Sequence, residues 1–308
     1  MPCRCDCRAV PAAVTPALEL QGRVFCGLAL ALVIASLLGA RLEPRHELLA
    51  AGALLLLLGM PHGAFDVVFA RKLFSVVDFK GWALFSLFYV GLSAAVVGLW
   101  VVIPTLFLCA FLIFSALHFG GDPARGVSRL TRGLYGGAVI VLPALWHGPE
   151  LQRLLGLVAG PTSAAFVAPV LSQLAAPWLA ATVLACALAA RTSRLAACES
   201  AALVALSLAA PPLLAFTVYF CAMHSPRHIL RTLSGLQAAE ARHALALALW
   251  PTLAVLVTAA LLGWLAIDLP VEAWVMQLVF VGLAALTLPH MVLLERARRL
   301  ALKGGRSK

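Results

Sequence analysis

The sequence predicts an all-α fold, a polytopic transmembrane helix bundle of about eight or nine spans. Three observations predict it. Of 308 residues, 63% are hydrophobic and only 12% charged, against roughly 25% charged in an ordinary soluble domain. Apolar runs with few or no charges recur along the chain, several of them beyond the ~20 residues that cross a bilayer. The net charge of +10 comes from Lys and Arg set singly between those runs. That is a topogenic pattern and not the single basic face of a nucleic-acid binder, so no nucleic-acid partner is expected.

In chain order, residues 1–22 form a short N-terminal tail expected to be disordered. Cys3, Cys5 and Cys7 within it would be an unordered stretch or, less simply, a soft-metal site without paired histidines. Val24–Ala40 is followed by no A-x-A-like cleavage site and is expected to be a retained first helix. Leu48–Met60, Leu84–Pro104 and Leu106–Leu117 come next. Val139–Trp146 with Leu151–Ala168 is ambiguous, because Gly160, Pro161 and Pro169 interrupt it. Ala164–Ala190, Ala201–Met223, Ala244–Ile267 and Ala273–Leu294 complete the series. One domain, 23–295, is expected, with a basic tail at 296–308. Arg296, Arg298, Arg299, Lys303, Arg306 and Lys308 follow the last span, whereas the loop around Asp268 and Glu272 has no positive residue. The positive-inside rule therefore predicts a cytoplasmic C-terminus, in a multi-pass protein of the cell inner membrane. Arg227, Arg231 and Arg242 agree, and Arg191 and Arg194 fall on the opposite side.

Four segments at the ends of apolar runs differ from the Leu- and Ala-rich filler: Gly59–Asp66, Ser115–Asp122, Met223–His228 and Leu288–Met291. They carry His62, His118, His224, His228 and His290. Any one such histidine is ordinarily a half-wet interfacial side chain. Several neutral imidazoles at the margins of different helices instead suit a bundle interior holding one metal. Most stand beside Pro or Gly, and non-helical backbone at membrane depth persists only where it is buried or lines a cavity. His224 and His228 are four apart and converge, whether the helix kinks at Pro226 or begins there with Ser225 as its cap. Asp66 and Asp122 each follow a histidine by four residues. They would hold a second ring nitrogen, or be interfacial charges paired with Arg71 or Arg125. Glu295 reads as a solvated helix end.

There is no H-E-x-x-H, Walker A, G-x-G-x-x-G or C-x-x-C-H, and no His-His pair of the kind a di-iron desaturase would carry. Imidazole-only ligation suits iron, copper or zinc. A metal-ion or small-solute transporter is another class this composition admits.

The strings P-H-G-A-x-D at Pro61–Asp66, S-A-x-H-F-G-x-D at Ser115–Asp122, F-C-x-x-H-S-P-R-H at Phe220–His228 and T-L-P-H-M at Thr287–Met291 occur in order. Through them the chain resembles the Brp/Blh family, bacteriorhodopsin-related membrane proteins that include bacterial β-carotene 15,15′-dioxygenases. The resemblance runs from about Leu55 to Glu295. It implies a helical membrane enzyme that uses Fe(II) and O₂ to cleave the central double bond of β-carotene into two retinal molecules. The implied iron ligands are His62, His118, His224 and His228. His290 matches a further family histidine expected near the site but outside the ligand set, and Asp66 and Asp122 are expected beside it. A functional link to an opsin-type retinal protein is also implied, and a non-catalytic carotenoid- or retinal-handling membrane protein is the alternative that the resemblance leaves open.

Overall fold

The structure, a computed structural model, describes residues 16–74, 78–123, 127–191, 193–234, 236–265 and 270–304. Cys3, Cys5, Cys7, Arg125, Asp268, Arg306 and Lys308 lie outside the described residues. Every element described is helical: α1 (Pro16–Leu37), α2 (Pro44–Leu54), α3 (Asp66–Phe74), α4 (Phe79–Val102), α5 (Pro104–Phe119), α6 (Arg129–Val141), α7 (Pro143–Trp146), α8 (Gly148–Ala159), α9 (Pro161–Ala189), α10 (Arg194–Ala209), α11 (Pro212–Val218), α12 (Ser225–Leu233), α13 (Ala238–Leu265) and α14 (Val271–Gly304). Proline punctuates the chain, opening α2, α5, α7, α9 and α11. There its missing N–H costs nothing and its fixed φ suits a first turn.

Six helical stretches among the described residues are long and apolar enough to cross a membrane: Pro16–Leu37, Pro44–Arg71, Phe79–Val102, Pro161–Ala189, Ala238–Leu265 and Val271–Arg296. The eight or nine expected spans thus resolve into six long helices and shorter pieces, of which α5 is an apolar helix of 16 residues. Ala201–Met223 is not one continuous α-helix, because Pro211 and Pro212 end α10 at Ala209 and start α11. Pro169 does not interrupt its helix and lies inside α9. The first helix starts within the stretch expected to be a tail, because Gln21 is buried and its amide donates to the Ala222 carbonyl at 2.7 Å. At the other end α14 runs past residue 296 to Gly304, so the basic segment begins as helix.

Packing separates lipid-facing from interior helices. None of the α4 residues is buried, and α13 buries only Ala244 and Ala248. Leu84, Leu87, Phe88, Leu249, Leu253 and Val257 are exposed, an arrangement that hydrocarbon solvates and water would not. The interior is built where α1 meets α10, α5 meets α6, and α14 crosses α4 and α2. Small residues allow the closest crossings. A Cβ on Gly136 of α6 would collide with the Ala116 carbonyl oxygen of α5. Gly160, at φ 85°, supplies the left-handed backbone that turns α8 into α9.

Candidate metal centre

Two departures from α-helical geometry build the site. Leu55–Gly59 is a π-helical turn running into a 3-10 turn, Met60–Phe65, and Tyr219–His224 is a second π-helical turn running into α12. Such turns rotate carbonyls off the helix axis and free them for other donors. Here the Ser225 hydroxyl donates to the Leu58 carbonyl at 2.7 Å, and Nδ1–H of His62 donates to the Gly59 carbonyl at 2.6 Å. Gly59 has no side chain because the Phe220 ring fills that space; a Cβ would meet it at 2.7 Å. Ser225 is not a helix cap. Backbone stays helical through His224 and Ser225, so the continuous, distorted helix is the form adopted.

All five of these histidines converge. Ring centroids lie 4.9 Å apart for His62–His224, 5.6 Å for His62–His228, 5.6 Å for His62–His290 and 6.3 Å for His62–His118. They are 4.6 Å apart for His118–His224, 5.1 Å for His118–His290 and 5.0 Å for His228–His290. Imidazoles bound at about 2.1 Å to one ion have centroids roughly 4.5–5.5 Å apart, so this spacing fits a shared ion with small adjustments. One nitrogen from each of His62, His118 and His290 falls within 4.8 Å of the others. Buried nitrogens Nε2 of His118, His224 and His290 and Nδ1 of His228 have no hydrogen-bond partner. Leaving four such groups unpaired is costly, and a cation accepting their lone pairs removes the cost. The donor set therefore fits a divalent transition metal.

The aspartates sit elsewhere than their spacing implies. Asp66 does not hold His62 four residues before it; it accepts Nδ1–H of His290 on α14 at 2.6 Å. Asp122 does not hold His118; it accepts Nδ1–H of His224 at 3.1 Å. The helical offset puts each pair on neighbouring turns, but tertiary packing hands each carboxylate to a histidine from another segment. Each also accepts a tyrosine hydroxyl, Tyr89 on Asp66 at 3.0 Å and Tyr219 on Asp122 at 2.6 Å. Neither interfacial pairing with Arg71 nor solvent exposure applies, since Asp66 and Asp122 are buried and Arg71 bonds His243 at 2.7 Å. Glu295 pairs with Arg299 at 2.8 Å on an exposed helix turn.

Several residues support the site in ways the sequence reading did not give them, and Arg227, taken there as a loop charge, is 4% exposed. Arg227 is buried in a bidentate pair with Glu199, at 2.6 and 2.9 Å, and its Nε–H donates to Gln21 at 2.8 Å. Arg231 donates to the Gly121 and Asp122 carbonyls at 2.7 and 2.6 Å, which fixes the loop that carries Asp122. Glu199, the only acid in α10, was the visible signal, since a lone carboxylate in an apolar helix requires a partner.

The histidine rings line two cavities, His62 and His290 one, and His118, His224 and His228 the other. On one side an apolar cavity of about 610 Å³ between α4, α13 and α14 is lined by His62, His290, Trp82, Phe85, Tyr89 and Trp250. Its size lies in the range of about 300–1,000 Å³ for small-molecule sites. On the other, a smaller cavity of about 350 Å³ has a mixed lining, with His118, Asp122, His224, His228 and Arg231 beside Val68, Phe69 and Leu236. Trp250 lines the apolar cavity as well. Phe220 packs on His62 at 5.4 Å, and Trp146 is exposed.

The family described as beta-carotene 15,15′-dioxygenase matches residues 53–296. A beta-carotene 15,15′-dioxygenase of an uncultured marine bacterium, 66A03, is 30% identical over 259 residues, covering 79% of this chain and 91% of that protein. A probable beta-carotene 15,15′-dioxygenase Blh of Halobacterium salinarum is 28% identical over 266 residues, covering 73% and 76%. No solved structure matches the chain.

Proposed function

The chain belongs to the β-carotene 15,15′-dioxygenase family, and from that premise we propose that it cleaves the central double bond of β-carotene with O₂ at one Fe(II), giving two retinal molecules. It is a multi-pass membrane enzyme of carotenoid cleavage. His62, His118, His224 and His228 would hold the iron. The observation that carries this reading is the convergence of breaker-flanked imidazoles, with unpaired nitrogens, against a large apolar cavity.

When bound, ferrous iron would supply activation of O₂ beside the polyene. The protein's own residues account for the rest. The Gly59 carbonyl and Asp122 each take an Nδ1–H, which locks His62 and His224 in the tautomer that leaves Nε2 free to ligate. The cavity wall of Trp82, Phe85, Val90, Trp250, Leu283 and Leu286 is apolar and would hold a hydrocarbon rod while excluding water. Symmetric cleavage requires the rod's midpoint to lie at the histidines, so positioning and not a general base sets the product.

The substrate enters from the bilayer in this reading, since α4 and α13, which flank the cavity, are the helices most exposed to lipid. Retinal released there would be available to an opsin-type protein in the same membrane. We place the protein in the inner membrane with its C-terminus in the cytoplasm, on the charge asymmetry of the last span.

The test is expression in a bacterial host that accumulates β-carotene. Bleaching of the pigment with retinal as the main chromatographic product is expected. Longer apocarotenals would retain the oxygenase and move the cleaved bond, whereas intact pigment beside folded, iron-loaded protein would overturn the reading.

A further inference from the structure

Of the five converging histidines, His290 is the one that the implied four-ligand set leaves without a role. It is 2% exposed, on α14 one residue after Pro289, and its Nδ1–H is held by Asp66 at 2.6 Å. Its Nε2 is buried without a partner. The Tyr89 hydroxyl donates to the other Asp66 oxygen at 3.0 Å. This arrangement reproduces the one at His224, where Tyr219 donates to Asp122, Asp122 accepts Nδ1–H, and Nε2 is again unpartnered. Two tyrosine–aspartate–histidine chains from unrelated parts of the sequence thus point free nitrogens into one cluster.

A histidine kept for packing would satisfy both ring nitrogens or give way to an apolar residue. A carboxylate on Nδ1 is instead the ordinary support of a ligating imidazole, fixing the tautomer and raising the basicity of Nε2. His290 also belongs to the trio whose nitrogens lie within 4.8 Å of one another, together with His62 and His118.

We infer that His290 is a fifth imidazole ligand of the metal, with Tyr89 and Asp66 as its positioning residues. This rests on the reading of the cluster as a metal site. Five imidazoles leave fewer coordination positions open to exogenous ligands than four, which restricts how the reacting molecules approach the ion.

Purified full-length protein in detergent, loaded anaerobically with iron(II) or with cobalt(II), tests the inference without recourse to turnover. Metal per chain, affinity by chelator competition and the cobalt absorption spectrum are compared for wild type, His290→Ala and Asp66→Asn. His290→Ala should bind either metal at least about tenfold more weakly, with a shifted cobalt spectrum. Asp66→Asn should keep full stoichiometry, shift the spectrum, and lose about 10–100-fold in affinity. If His290→Ala does not fold, Asp66→Asn, nearly the same shape, decides alone. Wild-type affinity and an unchanged spectrum in the folded variants would overturn a ligand role for His290 while leaving the four-histidine site intact. A wild type that takes up no metal would overturn the metal site itself and this inference with it.

Discussion

Asp122 shows how much one side chain controls. Buried at 4% exposure, it accepts from His224 and Tyr219, and its carbonyl is held by Arg231. Replacing it by Asn keeps the shape but offers His224 an amide, which no longer enforces Nδ1–H. We expect Asp122→Asn to lower iron affinity about 10–100-fold by chelator competition, with thermal stability changed far less. Removing a ligand outright is harsher. His62→Ala, His118→Ala, His224→Ala and His228→Ala should each lose most of the iron and the bleaching activity, and full iron content in the His118 and His228 variants would remove those two from the ligand set.

Among the elements, the π-helical turn at Tyr219–His224 and the start of α12 are secured by the Arg227–Glu199 pair, which ties α12 to α10 and, through Gln21, to α1. Both partners are buried. Glu199→Ala strands the guanidinium in the bundle and should cost about 3–5 kcal/mol, read as a lower apparent Tm in detergent. The double replacement Glu199→Leu with Arg227→Met should recover most of that loss, because the penalty lies in the unpaired charge and not in the absence of an ion pair. Equal destabilisation in the double variant would show that the bidentate geometry itself holds the helices.

Across the whole molecule, hydrogen bonds mark two ends. Trp100 donates to the Val158 carbonyl and Thr105 bonds Ser163 at one end, while the histidines, Arg227 and Arg231 gather at the other. The Glu199–Arg227 contact brings the first turns of α10, with Arg194, to the histidine end. In the orientation proposed above, the histidine cluster faces the cytoplasmic side. A reporter active only in the cytoplasm should work when fused after Lys308 and fail when inserted near Leu269. The reverse pattern would invert the assignment.

Membrane class, helical content and the five histidines were legible in the sequence, because hydropathy runs and Pro or Gly breakers act locally, within a turn or two of the residue concerned. The swap of partners was not legible. Asp66 with His290 and Asp122 with His224 are separated by 224 and 102 residues, and the helical offset pointed instead to His62 and His118. The same holds for Tyr89, Tyr219 and Gln21, ordinary residues in apolar runs whose polar atoms find partners only when helices cross. Local pattern decided which groups must enter the bilayer; tertiary packing decided which of them satisfy each other. A buried polar atom has no water to fall back on, so it takes the nearest partner in space, wherever that partner stands in the chain.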